Sequence, residues 1–414
     1  MAKVDAIVLG AGIVGVSIAL QLAKRGMSVA LIDRRAPGQE TSYGNAGIIE
    51  GNTVFPPAFP SSLASLLRVA LKRAPEANYH LTALPRVAPW LLAFRRHSTL
   101  ARQVETAQAM RPLFAAAVAE HESLAAEAGA AHLILRNGWL KLYRSDAAFQ
   151  ALAPEFECAA KFGISFRTLD GDGARRLEPA LQPAFRHAVH WPGAISVVDP
   201  LALTRAYVER FARLGGVSAV GDARRLHRRG DGWRVDTAQG PVDAQDAVIA
   251  LGPWSPDALA PLGIRAPLGI KRGYHLHFRA KDNGGLNRPV VDVENGYCCA
   301  PMRQGIRLTT GVEFADRDAP QTPDQLARLL PRARALFPLG EAVETQPWLG
   351  CRPCFADSRP VIGRAPGQRG LWLAFGHAHW GLTLGPATGR LLADMLTGAT
   401  PFCDPAPYRI ERFA

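Results

Sequence analysis

The chain has 414 residues, 48 % hydrophobic and 20 % charged, with a formal net charge of +12. That balance is globular and excludes a disordered protein, and the length suits two or three domains. No run of about 18 uncharged apolar residues is present to span a membrane. The opening MAKVDAIVLGAG lacks the apolar core and cleavage site of a signal peptide, so a cytoplasmic protein is expected. The positive charge is scattered; Arg224, Arg225, Arg228 and Arg229 and the pair Arg95–Arg96 lack interleaved aromatics, so nucleic acid is not an expected partner.

Val4–Leu9 reads as a buried parallel strand and runs into Gly10-Ala11-Gly12-Ile13-Val14-Gly15. In this pattern Gly10 permits the turn, Gly12 lets backbone approach a pyrophosphate, and Gly15 allows close helix–strand packing. Val16–Arg25 follows as a helix closing at Gly26, and its N-terminus with Ile13 and Val14 offers N–H groups to a diphosphate. A second strand, Val29–Ile32, ends on Asp33 with Arg34 beside it, 18 residues after Gly15, where a carboxylate takes ribose hydroxyls. The order predicts a bound dinucleotide, and Asp33 would repel a 2′-phosphate, leaving FAD or NAD.

Glu40–Ile49 is a small-residue stretch in which Thr41, Ser42, Asn45, Ala46 and Gly47 could meet phosphate or a flat ring; a plain polar loop reads equally well. Ser61–Arg96 is helical, amphipathic and mildly basic, and reads either as a helix packed on the core or as a docking face for an anionic membrane, the first being favoured. Pro200–Leu214 is a helix, Val217–Val220 and Ala247–Leu251 are strands, and Gly252-Pro253-Trp254-Ser255 follows the latter. Lys271–Phe278 alternates as a strand with Tyr274, Leu276 and Phe278 on one face and His275 and His277 on the other. Two histidines at that spacing could ligate a metal, but no third ligand stands near and no metal is expected. Arg303 and Arg307 fall on another strand.

The six cysteines are too sparse for a disulfide scaffold, and Cys351 and Cys354 of the C-x-x-C read as reduced and structural. Trp348-Leu349-Gly350-Cys351-Arg352-Pro353 leads through Pro360-Val361-Ile362-Gly363 to the strand Leu371–Phe375. Gly376-His377-Ala378-His379-Trp380-Gly381-Leu382-Thr383 follows, then a helix Arg390–Leu396 stopping at Gly398.

The Glu40–Ile49 stretch, the Gly252-Pro253-Trp254-Ser255 turn and the Arg-Pro strand with its Gly-His turn together resemble the FAD-dependent D-amino-acid oxidase and dehydrogenase superfamily, most closely the bacterial D-amino-acid dehydrogenases. The likeness touches both ends and the middle of the chain. It implies an α/β fold: a Rossmann-like FAD-binding domain from 1–60, 190–258 and 346–414, and an α+β substrate domain with an antiparallel or mixed sheet from 61–189 and 259–345. It implies FAD held by the glycine motif, Asp33, the 41–47 stretch, Gly252, Trp254, Gly376, Gly381, Leu382 and Thr383, with the final helix dipole near the flavin pyrimidine.

The resemblance also implies that Arg352 grips the substrate carboxylate with its guanidinium fork, and that Tyr274 or His275 reaches substrate. Arg303 or Arg307 is a weaker candidate for a second carboxylate contact. Two departures stand out: Cys351 replaces the family's usual leucine, and His379 puts an imidazole where relatives vary, a candidate pocket group. The implied reaction is oxidative deamination of a D-amino acid by hydride transfer from Cα to flavin N5, with a quinone or another carrier as electron acceptor and peripheral contact with the inner membrane. The alternatives are a cyclic secondary amine such as D-proline or cis-4-hydroxy-D-proline, favoured by Gly-Tyr-His and Trp380; a glycine or sarcosine oxidase; or a flavoprotein acting on RNA.

Overall fold

The computed structural model describes residues 2–60, 62–281 and 284–414. The first strand, Ala2–Leu9, has Ala6, Ile7, Val8 and Leu9 fully buried, as expected for a parallel strand covered on both faces. It pairs in parallel with Val29–Asp33 on one side and Gly240–Ile249 on the other. Val217–Val220 extends the parallel array beyond Val29–Asp33, and Leu371–Phe375 extends it beyond Gly240–Ile249. Three further strands complete an eight-stranded mixed sheet.

The helix Ile13–Lys24 covers one face and buries ten residues, among them Ile18, Leu20 and Leu22. Each such side chain contributes about 1.5–3 kcal/mol. The closing helix, Gly381–Thr397, lies against it. A Cβ on Gly389 would come within 2.7 Å of Ser17 backbone, and one on Gly385 within 3.2 Å of Ile13, so glycine at this four-residue spacing is what lets the helices close.

This closing helix starts nine residues before the expected Arg390. Pro386 argues for a loop when read alone, because it can donate no N–H to Leu382. In the fold, His121 Nε2 reaches the Leu382 carbonyl at 2.7 Å and takes the missing donor's place.

The second sheet has eleven strands, with Gly269–Ala280 at its centre. Trp348–Cys354, placed by sequence with the FAD-binding segments, pairs antiparallel with Gly269–Ala280 instead. The region that begins at Ser61, itself outside the described residues, is also not one packed helix. It divides into a helix Leu63–Ala70, a strand Ala77–Tyr79 and a helix Leu84–His97. None of Leu63–Ala70 is buried, against the expectation of a core-packed helix. Among the described residues, no helix is long and apolar enough to cross a membrane. All six cysteines are free, five of them buried.

Candidate active site

A cavity of about 1380 Å3 runs between the two sheets. It exceeds the ~300–1000 Å3 of an ordinary small-molecule pocket. All five strands of the parallel array deliver residues to it from their C-terminal ends: Gly10, Arg34, Gly221, Ala250 and Gly376. That is where open α/β sheets bind ligands.

At this end Gly10 has φ +107°, and a Cβ there would lie 2.4 Å from the Ala250 carbonyl oxygen, so only glycine fits the turn. A Cβ on Gly15 would lie 1.8 Å from the Gly10 carbonyl oxygen; Gly15 packs the helix down and does not line the cavity. Gly12, Ile13 and Val14 do line it. The helix has no side-chain cap on Gly12, though Ser42 Oγ accepts from the Ile13 N–H at 2.9 Å. Asp33 holds the turn, with Oδ2 accepting from Ala11 N–H at 2.7 Å and Oδ1 from Arg35 N–H at 3.0 Å. Arg34 stacks over Trp254, its guanidinium carbon 4.7 Å from the ring centroid, and both line the cavity with Gly252.

The loop after Glu40 crosses the middle of the cavity. Thr41 donates to the Cys351 carbonyl at 2.9 Å, tying the loop to the strand that carries Arg352. Asn45 Nδ2 donates to the His379 carbonyl at 3.2 Å, and its Oδ1 accepts from Gly47 N–H at 2.9 Å. Ala46 lines the cavity, whereas Gly47 is packed against Val197 and Thr383 donates to the Ile48 carbonyl at 3.1 Å, both behind the wall.

Arg307, a weaker candidate for a carboxylate contact, clamps this loop from behind. Its Nη1 donates to the Tyr43 and Asn45 carbonyls at 2.7 and 2.6 Å, and its Nε to His277 Nε2 at 2.9 Å. Burial pushes its guanidinium down to about 10. Neither it nor the exposed Arg303 lines the cavity, so neither is a substrate contact there.

The far wall is the pair of strands Gly269–Ala280 and Trp348–Cys354. Arg352 lies across Gly273, where a Cβ would come within 2.5 Å of its Nη2. Its Nη1 donates to the Gly311 carbonyl at 2.6 Å and its Nη2 to the Thr310 carbonyl at 3.1 Å. These bonds fix the guanidinium but leave its charge unmatched, and burial pushes its pKa down.

His379 also lines the cavity, turned into it by Ala378. That residue has φ +52°, a left-handed conformation costing about 1–3 kcal/mol without glycine, and its N–H bonds the Pro353 carbonyl at 2.8 Å. Burial, with help from the charges of Arg352, Lys271 and Lys141, pulls the His379 imidazole down to about 3, so it is neutral at physiological pH. Gly376, Gly381 and Leu382 complete this side, at the uncapped N-terminus of the closing helix.

Tyr274 borders the cavity, but its hydroxyl donates to Glu313 at 2.9 Å and accepts from the Thr322 N–H at 2.8 Å, within a buried network containing Arg272. His275 does not border it. Its ring stacks on Trp348 with centroids 4.8 Å apart, and burial drives it down to about 2. The neighbouring His277 is paired with Glu344, and no metal-binding cluster occurs among the described residues.

Several lining groups escape a reading along the chain. Gly221, Asp222, Ala223 and Arg224 follow the strand Val217–Val220 beside Asp33; their only sequence signal is their place after a predicted parallel strand. Lys271 is brought in by its register opposite Arg352. Glu50, whose carboxyl is pushed up by burial, and Lys141, 3.2 Å from Glu155, add further charged groups to the wall, as do Arg317 and Asp257.

The residues fit FAD. Two helix N-termini without side-chain caps open on one cavity, Asp33 stands at the dinucleotide end, and the Gly10 turn admits no side chain. The family profile described as FAD dependent oxidoreductase matches residues 5–395. The chain is 31% identical to a D-amino-acid oxidase of Bradyrhizobium diazoefficiens, over 98% of each chain. It is 33% identical to a D-amino acid dehydrogenase of Cereibacter sphaeroides, over 99% of this chain and 95% of that one.

Among solved structures, it resembles glycine oxidase from Geobacillus kaustophilus with a TM-score of 0.75 and 24% identity, covering 99% of both chains. It also resembles L-proline dehydrogenase from P. horikoshii with a TM-score of 0.76 and 19% identity, covering 100% of this chain and 98% of that one. The strand order, the glycine turn and these likenesses agree, and the chain belongs to the family of FAD-dependent oxidoreductases.

Proposed function

We propose that the chain oxidises D-amino acids to imino acids, which water hydrolyses to 2-oxo acids. The observation that carries this reading is Arg352, a cation without a carboxylate partner among the described residues, on the wall of the same cavity that the glycine turn and Asp33 line. Relatives named for D-amino acids support this substrate class and handedness.

FAD supplies the hydride acceptor. Arg352 takes the carboxylate through its remaining N–H groups and so aims Cα–H. The Gly311 and Thr310 carbonyls keep that guanidinium in place. The substrate ammonium must lose a proton before oxidation, and that proton goes to water, because an imidazole held near 3 is a weak base. His379 acts as a neutral wall and hydrogen-bonding group. The cyclic-amine alternative leaned on the Gly-Tyr-His stretch and Trp380; His275 is stacked behind Trp348, while Gly273, Tyr274 and Trp380 do line the cavity.

The segments 1–60, 190–258 and 346–414 serve FAD in this reading, except that Trp348–Cys354 builds the substrate wall. Electrons then pass to a quinone or another carrier. The helix Leu63–Ala70 suits contact with an anionic membrane: Leu63, Leu67 and Leu71 are 73%, 53% and 59% exposed at i, i+4 and i+8, while Leu66 and Val69 line the cavity.

The test is product analysis with an artificial electron acceptor. A 2-oxo acid and ammonia from D-amino acids, and not from their L-enantiomers, support the reading; turnover of the L-forms alone overturns the handedness.

A further inference from the structure

Six basic side chains line the cavity: Arg34, Lys141, Arg224, Lys271, Arg317 and Arg352. Four have an acidic partner. Arg34 faces Glu40 at 3.6 Å, Lys141 Glu155 at 3.2 Å, Arg224 Asp222 at 2.6 Å and Arg317 Asp257 at 2.9 Å. Lys271 and Arg352 have none among the described residues, and the charged surroundings of each contain no carboxylate.

These two are direct partners across antiparallel strands, so their side chains leave the same face of the sheet. The Lys271 ammonium lies 4.0 Å from the centroid of Phe94 and 5.2 Å from that of Trp90. The aromatic faces steady the cation but accept none of its three N–H donors in a conventional hydrogen bond.

Two half-buried like charges on one face of a cavity wall, with no anion between them, repel each other in the empty protein. Burial, and the guanidinium next to it, push the Lys271 ammonium down. Two cations without carboxylate partners on one cavity wall, where the other four lining cations are paired, point to a ligand that completes the pairing. One carboxylate on Arg352 leaves the second cation unmatched. Both side chains leave one face of neighbouring strands, so a molecule with two carboxylates, such as an aspartate- or glutamate-sized one, can meet both cations at once.

We propose that Lys271 and Arg352 form a site for two anionic groups, so that the preferred substrate is an acidic amino acid with its α-carboxylate on Arg352 and its second carboxylate on Lys271. This rests on the reading of Arg352 given above and adds the substrate's side-chain class.

The test titrates the FAD-loaded protein with unreactive acids, succinate and glutarate against propionate and butyrate, following the flavin spectrum and the fluorescence that Trp90 contributes. Diacids are expected to bind about tenfold or more tightly than monoacids, with that ratio collapsing towards one in Lys271→Met and persisting in Lys271→Arg. Equal binding of both classes by the unaltered protein overturns the proposal. So does a diacid preference untouched by Lys271→Met, or by Lys271→Gln if the Met variant does not fold.

Anaerobic flavin reduction by D-aspartate and D-glutamate against D-asparagine and D-glutamine then separates the two claims. No reduction by any amino acid, with diacid preference intact, sinks the amino-acid oxidation reading and leaves the dianion site standing. Equal reduction by acids and amides overturns the acidic preference and leaves oxidation standing.

Discussion

His121 Nε2 lies 2.7 Å from the carbonyl oxygen of Leu382, a residue 261 positions further along the chain, and serves the acceptor that Pro386 cannot. The contact joins the long helix Leu100–Glu127 to the first turn of the helix whose N-terminus opens on the cavity. Replacing His121 with Ala leaves that carbonyl buried and unbonded, at about 1–3 kcal/mol. Thermal unfolding of the FAD-loaded protein is expected to shift down and flavin release to accelerate, with His121→Gln recovering part of the loss. An unchanged midpoint in His121→Ala would show that the helix turn does not need this donor.

Four histidines are held neutral by burial: His121 near 4, His377 and His379 near 3 and His275 near 2, against an ordinary value of 6.5. The unfolded chain therefore binds more protons than the folded one below pH 6.5. Stability from these groups is present above that pH and is lost as pH falls; for His121 alone the loss approaches about 3 kcal/mol by pH 4. Urea unfolding midpoints at pH 7, 5.5 and 4.5 are expected to fall steeply, and His121→Gln to flatten the slope. Midpoints independent of pH in this window would contradict buried neutral imidazoles.

Asp33 orders the glycine turn through Ala11 and faces the dinucleotide end of the cavity. Asp33→Ala is expected to weaken FAD retention by about tenfold or more, the worth of a charge-assisted hydrogen bond, with Asp33→Asn between. Equilibrium dialysis of FAD measures it, and full retention would remove the ribose role.

Arg352 lines the same cavity. Arg352→Met is expected to lose about 2–5 kcal/mol of substrate binding, the range for removing one partner of a buried charge pair, while FAD stays bound. Steady-state kinetics reads this as a large rise in KM. Unchanged KM and kcat would take Arg352 out of the site.

The exposed leucines make a separate prediction. Sedimentation with vesicles containing anionic lipid is expected to carry down the unaltered protein and to lose it when Leu63, Leu67 and Leu71 are all changed to Ser, with activity towards a soluble electron acceptor retained. Equal sedimentation of both would discard the membrane contact.

What the sequence disclosed and what it hid follow from distance along the chain. Gly10, Gly12, Gly15 and Asp33 are legible because turn, helix and strand end lie within one βαβ unit and each glycine answers a local steric demand. Arg352 is legible through its motif, but the strand Trp348–Cys354 that carries it belongs with Gly269–Ala280, because antiparallel register outweighs nearness to the final segment. That same register sets Lys271 beside Arg352, which no spacing along the chain reveals. The start of the closing helix was hidden because Pro386 removes an N–H from the helix ladder, and the donor that serves the carbonyl left over, His121, lies far away in the chain. Amphipathic periodicity in Leu63–Ala70 is the same whether the apolar face meets a core or solvent, so only the fold could separate the two.

The most direct test mixes the FAD-loaded protein anaerobically with enantiomeric pairs of amino acids and watches the visible flavin band. Bleaching by D-forms at rates that saturate with concentration, with no bleaching by the L-forms, is the expected result. A flavin that stays oxidised with every D-amino acid offered would contradict the proposed function while leaving the FAD-dependent fold intact.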